Sequence, residues 1–217
     1  MIQPGGLHGI VHVVDDDRAF RTAIGRLLRA AGHDPRLHAS ALEYLAVDDS
    51  DGPACLLLDL RMPGSTGLEL QHLLRERGDT RPVIFLSAHG DVSTTVRAMQ
   101  DGALTFLTKP VQERELLDSV ALALERDAER LERRAYLTVI RGRYVSLTPR
   151  ERQVMAGVVA GLLNKQISYA LNSAERTVKT HRSRVMEKMM VRTVPDLVHV
   201  AEELEEAGEA LERIPDA

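Results

Sequence analysis

The stretch Ala54-Cys55-Leu56-Leu57-Leu58-Asp59 is apolar throughout until it ends on a carboxylate. A strand with one wet face alternates apolar and polar residues. An unbroken apolar run of this length instead predicts a strand buried on both faces, as in a parallel sheet. Ile10–Val14 (IVHVV) and Val83–Ser87 (VIFLS) have the same character, and Arg36–Ala39 and Leu104–Leu107 complete the strand candidates. Apolar residues at helical spacing fill the intervals: Phe20, Ile24, Leu27 and Leu28, then Leu68, Leu70, Leu73 and Leu74, then Val92, Val96 and Met99. Turn residues separate the elements at Gly32, Asp51-Gly52-Pro53, Gly78, Pro82, Gly90 and Gly102. Repeated strand–helix units predict an α/β doubly wound five-stranded parallel sheet over residues 1–125.

From Val111 to Arg143 the pattern is helical: Leu116, Leu117, Val120, Leu122 and Leu124 precede the charged run ERDAERLERR. A last helix of the sheet domain that runs on as a linker helix over residues 126–143 is expected, with most of Glu125–Arg134 as a solvated charged face. Residues 144–208 read as an all-α domain. Thr148, Pro149 and Glu151 have the spacing of a capped helix start, and Gly161 ends that helix. Helices at Lys165–Ala170, Glu175–Met190 and Val194–Glu206 follow, and residues 209–217 read as an acidic tail that extends the last helix and frays.

A length of 217 residues suits two small domains better than one large core. With no Trp and 3% aromatic residues, the cores must be aliphatic. The single Cys55 excludes an internal disulfide and reads as a buried strand residue. Neither a signal-type leader nor an apolar run near the roughly 20 residues of a membrane span is seen, so a cytoplasmic protein without membrane contact is expected. The net charge of −4 conceals an asymmetry: residues 1–143 carry 18 Lys+Arg against 21 Asp+Glu, residues 144–200 carry 9 against 4, and residues 201–217 carry 1 against 7. A basic segment inside an acidic chain points to local contact with a polyanion.

In a doubly wound sheet, ligands bind beyond the carboxyl ends of the strands. Asp15, Asp16 and Asp17 follow the first predicted strand, Asp59 ends the third, Ser87 the fourth, and Lys109 follows the fifth. Carboxylates gathered on neighbouring strand ends repel one another unless a cation neutralises them, and an all-oxygen donor set suits Mg²⁺. One carboxylate could then act as nucleophile toward a phosphoryl group while the metal and a lysine stabilise the developing charge. Asp17 reads as a helix N-cap or a solvated residue, and Asp48, Asp49 and Asp51 as a charged loop. His8 and His12 sit four apart on a loop and a strand and do not face each other; His33, His38, His72, His89 and His199 are scattered.

The blocks VVDDD (13–17), LLLDLRMPG (56–64), SAHGD (87–91) and FLTKP (106–110) resemble, in this order, the signature blocks of CheY-like receiver domains over about residues 8–125. The resemblance implies Asp59 as phospho-acceptor. It implies Asp16, Asp59 and the backbone carbonyl of Arg61 as direct Mg²⁺ ligands, with Asp15 acting through a bound water. Ser87 and Lys109 would contact the phosphoryl group, and Phe106 stands where the family has an aromatic switch residue, without the hydroxyl of Tyr. Lys109-Pro110 matches the family's cis peptide.

In the second half, Lys165–Ala170, a turn at Leu171–Ala174 and Glu175–Met190 have the form of a helix-turn-helix, with Val178, Val185 and Met189 inward and Lys179, Arg182 and Ser183 outward. The string from Leu147 to Thr193 resembles the LuxR/FixJ-type (GerE) DNA-binding domain over about residues 144–206. By position, Lys179, Thr180 and Ser183 are candidates for base contacts, and Lys165, Thr177, His181, Arg182 and Arg184 for phosphates. Glu151 matches an acidic position suited to a structural salt bridge. The chain departs from the family at Ser168 and at Ser173-Ala174, which suggests a weaker or shifted cap on the recognition helix, from Ser173 or Asn172.

The order of the two domains resembles the NarL/FixJ class of two-component response regulators. This implies a sensor histidine kinase as phosphoryl donor and double-stranded promoter DNA as target. It further implies a homodimer on phosphorylation, transcriptional activation as output, and RNA polymerase as a further partner. The chain would not be a turnover enzyme, since its only chemistry is acceptance of the phosphoryl group and Mg²⁺-dependent self-dephosphorylation. Two rivals stand beside this reading. One is a phosphorylation-independent DNA-binding protein or adaptor with a vestigial receiver. The other is a metal-dependent phosphatase with an aspartyl nucleophile, against which Arg61 stands where such enzymes carry a second aspartate.

Overall fold

The computed structural model describes residues 8–47, 52–88, 92–212 and 214. Asp48, Asp49 and Asp51 of the predicted charged loop, and His89, Gly90 and Asp91 after the fourth main strand, lie outside these residues. The chain forms two compact units, Met1–Leu131 and Glu132–Ala217.

The first unit runs β1 (Ile10–Val14), α1 (Arg18–Ala30), β2 (Asp34–His38), α2 (Ala41–Leu45), β3 (Ala54–Asp59), β4 (Arg61–Met62), β5 (Ser65–Thr66), α3 (Gly67–Glu76), β6 (Val83–Ser87), α4 (Val92–Gln100) and β7 (Thr105–Thr108). Five of these strands form a parallel sheet in the order β2-β1-β3-β6-β7, so the strand order reverses between β1 and β3. The runs predicted to be buried on both faces, β1, β3 and β6, are buried at every position. Their side chains alternate between two cores: Val11, Val13, Cys55, Leu57, Ile84 and Leu86 enter one, and Val14, Leu56, Leu58, Val83 and Phe85 the other.

β2 begins two residues earlier than expected, because Asp34 pairs with Ile10 at the start of β1. Pro35 is tolerated there because β2 is an edge strand. The two-residue strands β4 and β5 pair antiparallel and are too short to leave a periodic signal. In α4 two residues of the predicted apolar stripe are not buried. Val96 and Met99 are 48% and 44% exposed, while the small Ala98 is fully buried.

α5 (Glu113–Val145) is one unbroken helix that begins in the first unit and ends in the second. Its Leu116, Val120, Ala123 and Leu124 pack on the sheet. Asp127 departs from the expected solvated face. It is fully buried, accepts the Ala54 N–H at 2.9 Å and pairs with Arg130 at 2.7 Å. The first residue of β3 would otherwise bury an unmet amide, which explains why a carboxylate is drawn inward there.

The second unit continues with α6 (Pro149–Val159), α7 (Asn164–Ala170), α8 (Glu175–Met189) and α9 (Val194–Glu206) around an aliphatic core that includes Ile140, Val154, Ile167, Val178, Val185 and Leu197. The start of α6 is a reciprocal capping box between Thr148 and Glu151. Glu151 is only 2% exposed and is also held by Lys188 at 2.6 Å, the salt bridge expected at this position. The described residues of the tail do not extend α9, which ends at Glu206. Gly208, at φ +80°, turns the chain, and Leu211 and Ile214 then pack on the core. The Glu212 N–H donates to the Tyr144 hydroxyl at 3.0 Å, and Glu209 pairs with Arg141 at 2.6 Å. Apolar residues in the tail explain the difference, since a free helical end would leave them in water.

Burial pushes the Glu151 carboxyl up. Lys188 and the backbone and hydroxyl of Thr148 overcome it and hold the group below the ordinary glutamate value. A depressed folded-state value means that this stabilisation is present above the unfolded value and disappears as pH falls through the folded one. Glu151→Gln is therefore expected to flatten the acid limb of the second unit's stability profile and to cost on the order of 2 kcal/mol at neutral pH. Denaturant unfolding of the whole chain from pH 7 to pH 3 checks this, and an unchanged acid limb contradicts it.

Candidate functional site

The reversal of strand order leaves a crevice at the carboxyl ends of β1 and β3, and the acidic residues lie there. Asp15 and Asp16 follow β1, Asp59 ends β3, and one oxygen from each lies within 4.8 Å of the others. Asp15 is fully buried, Asp59 is 8% exposed and Asp16 is exposed. Asp15 is held from both ends: one oxygen accepts the Asp17 N–H at 2.9 Å, and the other binds the Lys109 Nζ at 2.6 Å. Arg21 donates to the Asp15 carbonyl. Asp17 is the N-cap of α1, accepting from the amides of Ala19 and Phe20, as its position predicted.

Lys109 follows β7 and also pairs with Asp59 at 3.4 Å. The Lys109–Pro110 peptide is cis. Ser87 ends β6, is buried, and lies one residue beyond Leu86, the register partner of Asp59. Its carbonyl accepts the Lys109 N–H at 2.7 Å. Phe106, in β7, is half-buried against the core. Arg61 is exposed in β4. At the start of α3, Gly67 comes so near β3 that a Cβ would collide with the Asp59 carbonyl oxygen. Only glycine permits that approach.

Burial raises the Asp59 carboxyl above its ordinary value; Lys109 opposes the rise, and Asp15 and Asp16 reinforce it. One ammonium faces three carboxylates. A divalent cation fits this set, because all donors are hard oxygens and the local charge remains negative after Lys109 is counted.

In the second unit, Val178, Val185 and Met189 of α8 are buried as expected. Thr177, Lys179, Thr180, Ser183, Arg184 and, on α7, Lys165 are exposed. His181 and Arg182 are half-buried, and Arg182 donates to the Asn164 side chain at 3.1 Å, which ties α8 to the start of α7. Lys179 pairs with Glu175 at 3.3 Å. The cap of α8 is weaker, as expected, but neither Ser173 nor Asn172 provides it. Its N-cap is Ala174, without a side-chain hydrogen bond. Asn172 and Ser173 are taken up in closing α7: Asn172 adopts φ +46° and the Ser173 N–H donates to the Ser168 carbonyl at 2.9 Å.

Comparison with known proteins agrees with both halves. The response regulator receiver domain family matches residues 11–121, and the family of bacterial regulatory proteins of the luxR type matches residues 145–201. The chain belongs to the NarL/FixJ class of response regulators. It is 42% identical to nodulation protein W of Bradyrhizobium diazoefficiens, over 90% of this chain and 86% of that protein. It is 38% identical to the transcriptional regulatory protein FixJ of Rhizobium meliloti, over 88% of this chain and 94% of that one. Among solved structures, response regulator StyR matches with a TM-score of 0.82 at 42% identity, covering 90% of this chain and 98% of that chain. The response regulator is therefore a DNA-binding transcriptional regulator of the FixJ/LuxR type.

Some of its polar groups gave no signal in the sequence. His12 and His38 are brought together by the β1–β2 register, 3.1 Å apart, beside Tyr44. Burial, with nearby Arg81, lowers the pKa of His12 to about 3. Cys55 is buried, as read from its strand, and burial pushes its thiol up. Among the described residues, no helix is long and apolar enough to cross a membrane.

Because Asp59 is raised in the folded chain, its charge is a destabilising load that is absent at acid pH and sets in as pH rises through the folded-state value. Asp59→Asn is therefore expected to raise the melting temperature of the receiver unit in EDTA at pH 7 by a few degrees, on the order of 1 kcal/mol. Mg²⁺ is expected to stabilise the parent chain more than the variant. Thermal melts with and without Mg²⁺ test both, and a variant less stable in EDTA contradicts the charge argument.

Proposed function

We propose that a sensor histidine kinase phosphorylates this response regulator on Asp59 and that the modification promotes transcriptional activation. The observation that supports it is the convergence of Asp15, Asp16 and Asp59 with the Lys109 ammonium at one end of the sheet. An Asp59 carboxylate oxygen attacks the phosphorus of a phosphohistidine. The P–N bond breaks and its electron pair returns to the imidazole, which takes up a proton. Asp16, Asp59 and the Arg61 carbonyl would hold Mg²⁺ directly. Asp15, with one oxygen on the Asp17 amide and the other on Lys109, is better placed to act through water. Mg²⁺ would supply Lewis-acid neutralisation of the phosphoryl oxygens. Lys109 would exchange its carboxylate partners for the phosphoryl group, and Ser87 would donate to it. The chain is a phosphorylated switch with Mg²⁺-dependent self-dephosphorylation rather than a turnover enzyme.

Phe106 would change rotamer with Ser87 and reshape the face of α4, β7 and α5. Exposed Val96, Met99 and Leu122 supply the apolar surface for a homodimer there. Residues 126–143 would act as the linker helix between a receiver over 1–125 and a DNA-binding domain over 144–208. Two DNA-binding domains would then occupy two half-sites of double-stranded promoter DNA. Lys179, Thr180 and Ser183 would meet base edges, and Lys165, Thr177, His181, Arg182 and Arg184 phosphates. RNA polymerase would be the partner through which activation is read out. A DNA-binding regulator of this class would work in the cytoplasm.

Incubation with acetyl phosphate and Mg²⁺ is expected to add one phosphoryl group to the parent chain, seen as a mass increase, and none to Asp59→Asn. Persistent labelling of that variant would refute the assignment. Lys179→Ala is expected to weaken binding to a selected promoter fragment by about tenfold and to relax base preference. Arg184→Ala should weaken all sequences alike and reduce the salt dependence. Competition mobility shifts at two salt concentrations distinguish the two behaviours, and loss of base preference in the Arg184 variant alone reverses the assignment.

A further inference from the structure

The Lys109 ammonium has a third neighbour besides its two carboxylates. The ring of Phe20, on the first turns of α1, lies with its centroid 4.2 Å from the Lys109 Nζ, well inside the range in which the negative face of an aromatic ring attracts a cation. The Lys109 side chain is 17% exposed, so little water reaches it. The spacing of Phe20, Ile24, Leu27 and Leu28 reads as one core-facing stripe, yet Ile24 and Leu28 are buried while Phe20 is only half-buried at the stripe's end nearest the acidic crevice. Its location is set by two contacts already described: Asp17 caps the helix on the Phe20 amide, and Arg21, the next residue, binds the Asp15 carbonyl.

We infer that Phe20 is a positioning residue for Lys109. Its ring face takes the place of water beside the ammonium and keeps that charge next to Asp59 while the carboxylate partners are exchanged for a phosphoryl group. An ammonium released into solvent would be strongly hydrated and spread over many rotamers of a flexible four-carbon stem. A ring at van der Waals distance restricts that spread without offering an acceptor that competes with the phosphoryl oxygens. Asp15 and Asp59 attract the lysine through full charges, which hold it away from an incoming group. The ring attracts it through a quadrupole, weakly enough to let it turn. The inference rests on the phosphorylation of Asp59 proposed above.

The test replaces Phe20 in the full chain by mono-, di- and trifluorinated phenylalanine, which withdraw electron density from the ring face stepwise at nearly constant shape. The rate of Asp59 phosphorylation by acetyl phosphate is expected to fall progressively along the series, to about one-third to one-tenth of the parent rate. Phe20→Leu is expected to fall as far, and Phe20→Trp to retain the parent rate. The Mg²⁺ dissociation constant, read by fluorescence of the Trp variant and by calorimetry for the others, is expected to change less than twofold. Thermal melts should be unchanged across the fluorinated series, which separates ring electrostatics from packing. A flat rate along the series in a chain that labels normally overturns the inference and leaves the phosphorylation reading standing. A parent chain that takes no label at all overturns both.

Discussion

Three carboxylates share one end of a parallel sheet with a single lysine, and that imbalance organises the receiver unit. Parallel strands end side by side, so residues that terminate β1 and β3 are brought together at the reversal of strand order even though they are far apart in the chain. Burial sharpens the repulsion among them and holds Asp59 above the usual aspartate range. Every neighbouring feature limits the cost. Asp15 is committed to an amide and to Lys109, Asp17 is diverted into capping α1, and Gly67 lets α3 approach β3 without a clash. What remains is a negative site of hard oxygens, a set that favours a divalent cation.

The helical unit solves a different problem. It must expose basic and polar groups on α8 while anchoring that helix from behind. Val178, Val185 and Met189 provide the apolar anchor, and Lys188 extends from the same helix to the buried Glu151 that caps α6. Arg182 is partly spent on Asn164, so one predicted phosphate contact also sets the spacing of α7 and α8. Ala174 contributes no side-chain cap, which leaves α8 reliant on tertiary packing at the end where a helix-turn-helix meets its target.

Much of this was legible in the residues. Buried strands announce themselves by unbroken apolar runs, and β1, β3 and β6 matched theirs to the residue. The boundaries of β2 and β7 shifted because pairing register, not propensity, sets where an edge strand starts. Asp127 could not be told from its charged neighbours in the run from Glu125 to Arg134, because the amide it satisfies belongs to Ala54. The acidic tail looked like a fraying helix because its charge outnumbers the Leu211 and Ile214 that dock it. The α4 stripe misled for the opposite reason: its Val96 and Met99 are exposed and a small alanine, Ala98, is buried.

The sequence by itself determined the class of fold, the order of the two domains and the acidic, serine and lysine positions at the strand ends. All of these are local patterns of residue type, which a chain carries whether or not it is folded. Only the tertiary structure decided which groups meet. Lys109 binds Asp15 more closely than Asp59, Phe20 offers its ring to that ammonium, and His12 finds His38 across the strand register. Such pairings depend on distances between segments brought close by folding, and no spacing along the chain encodes them.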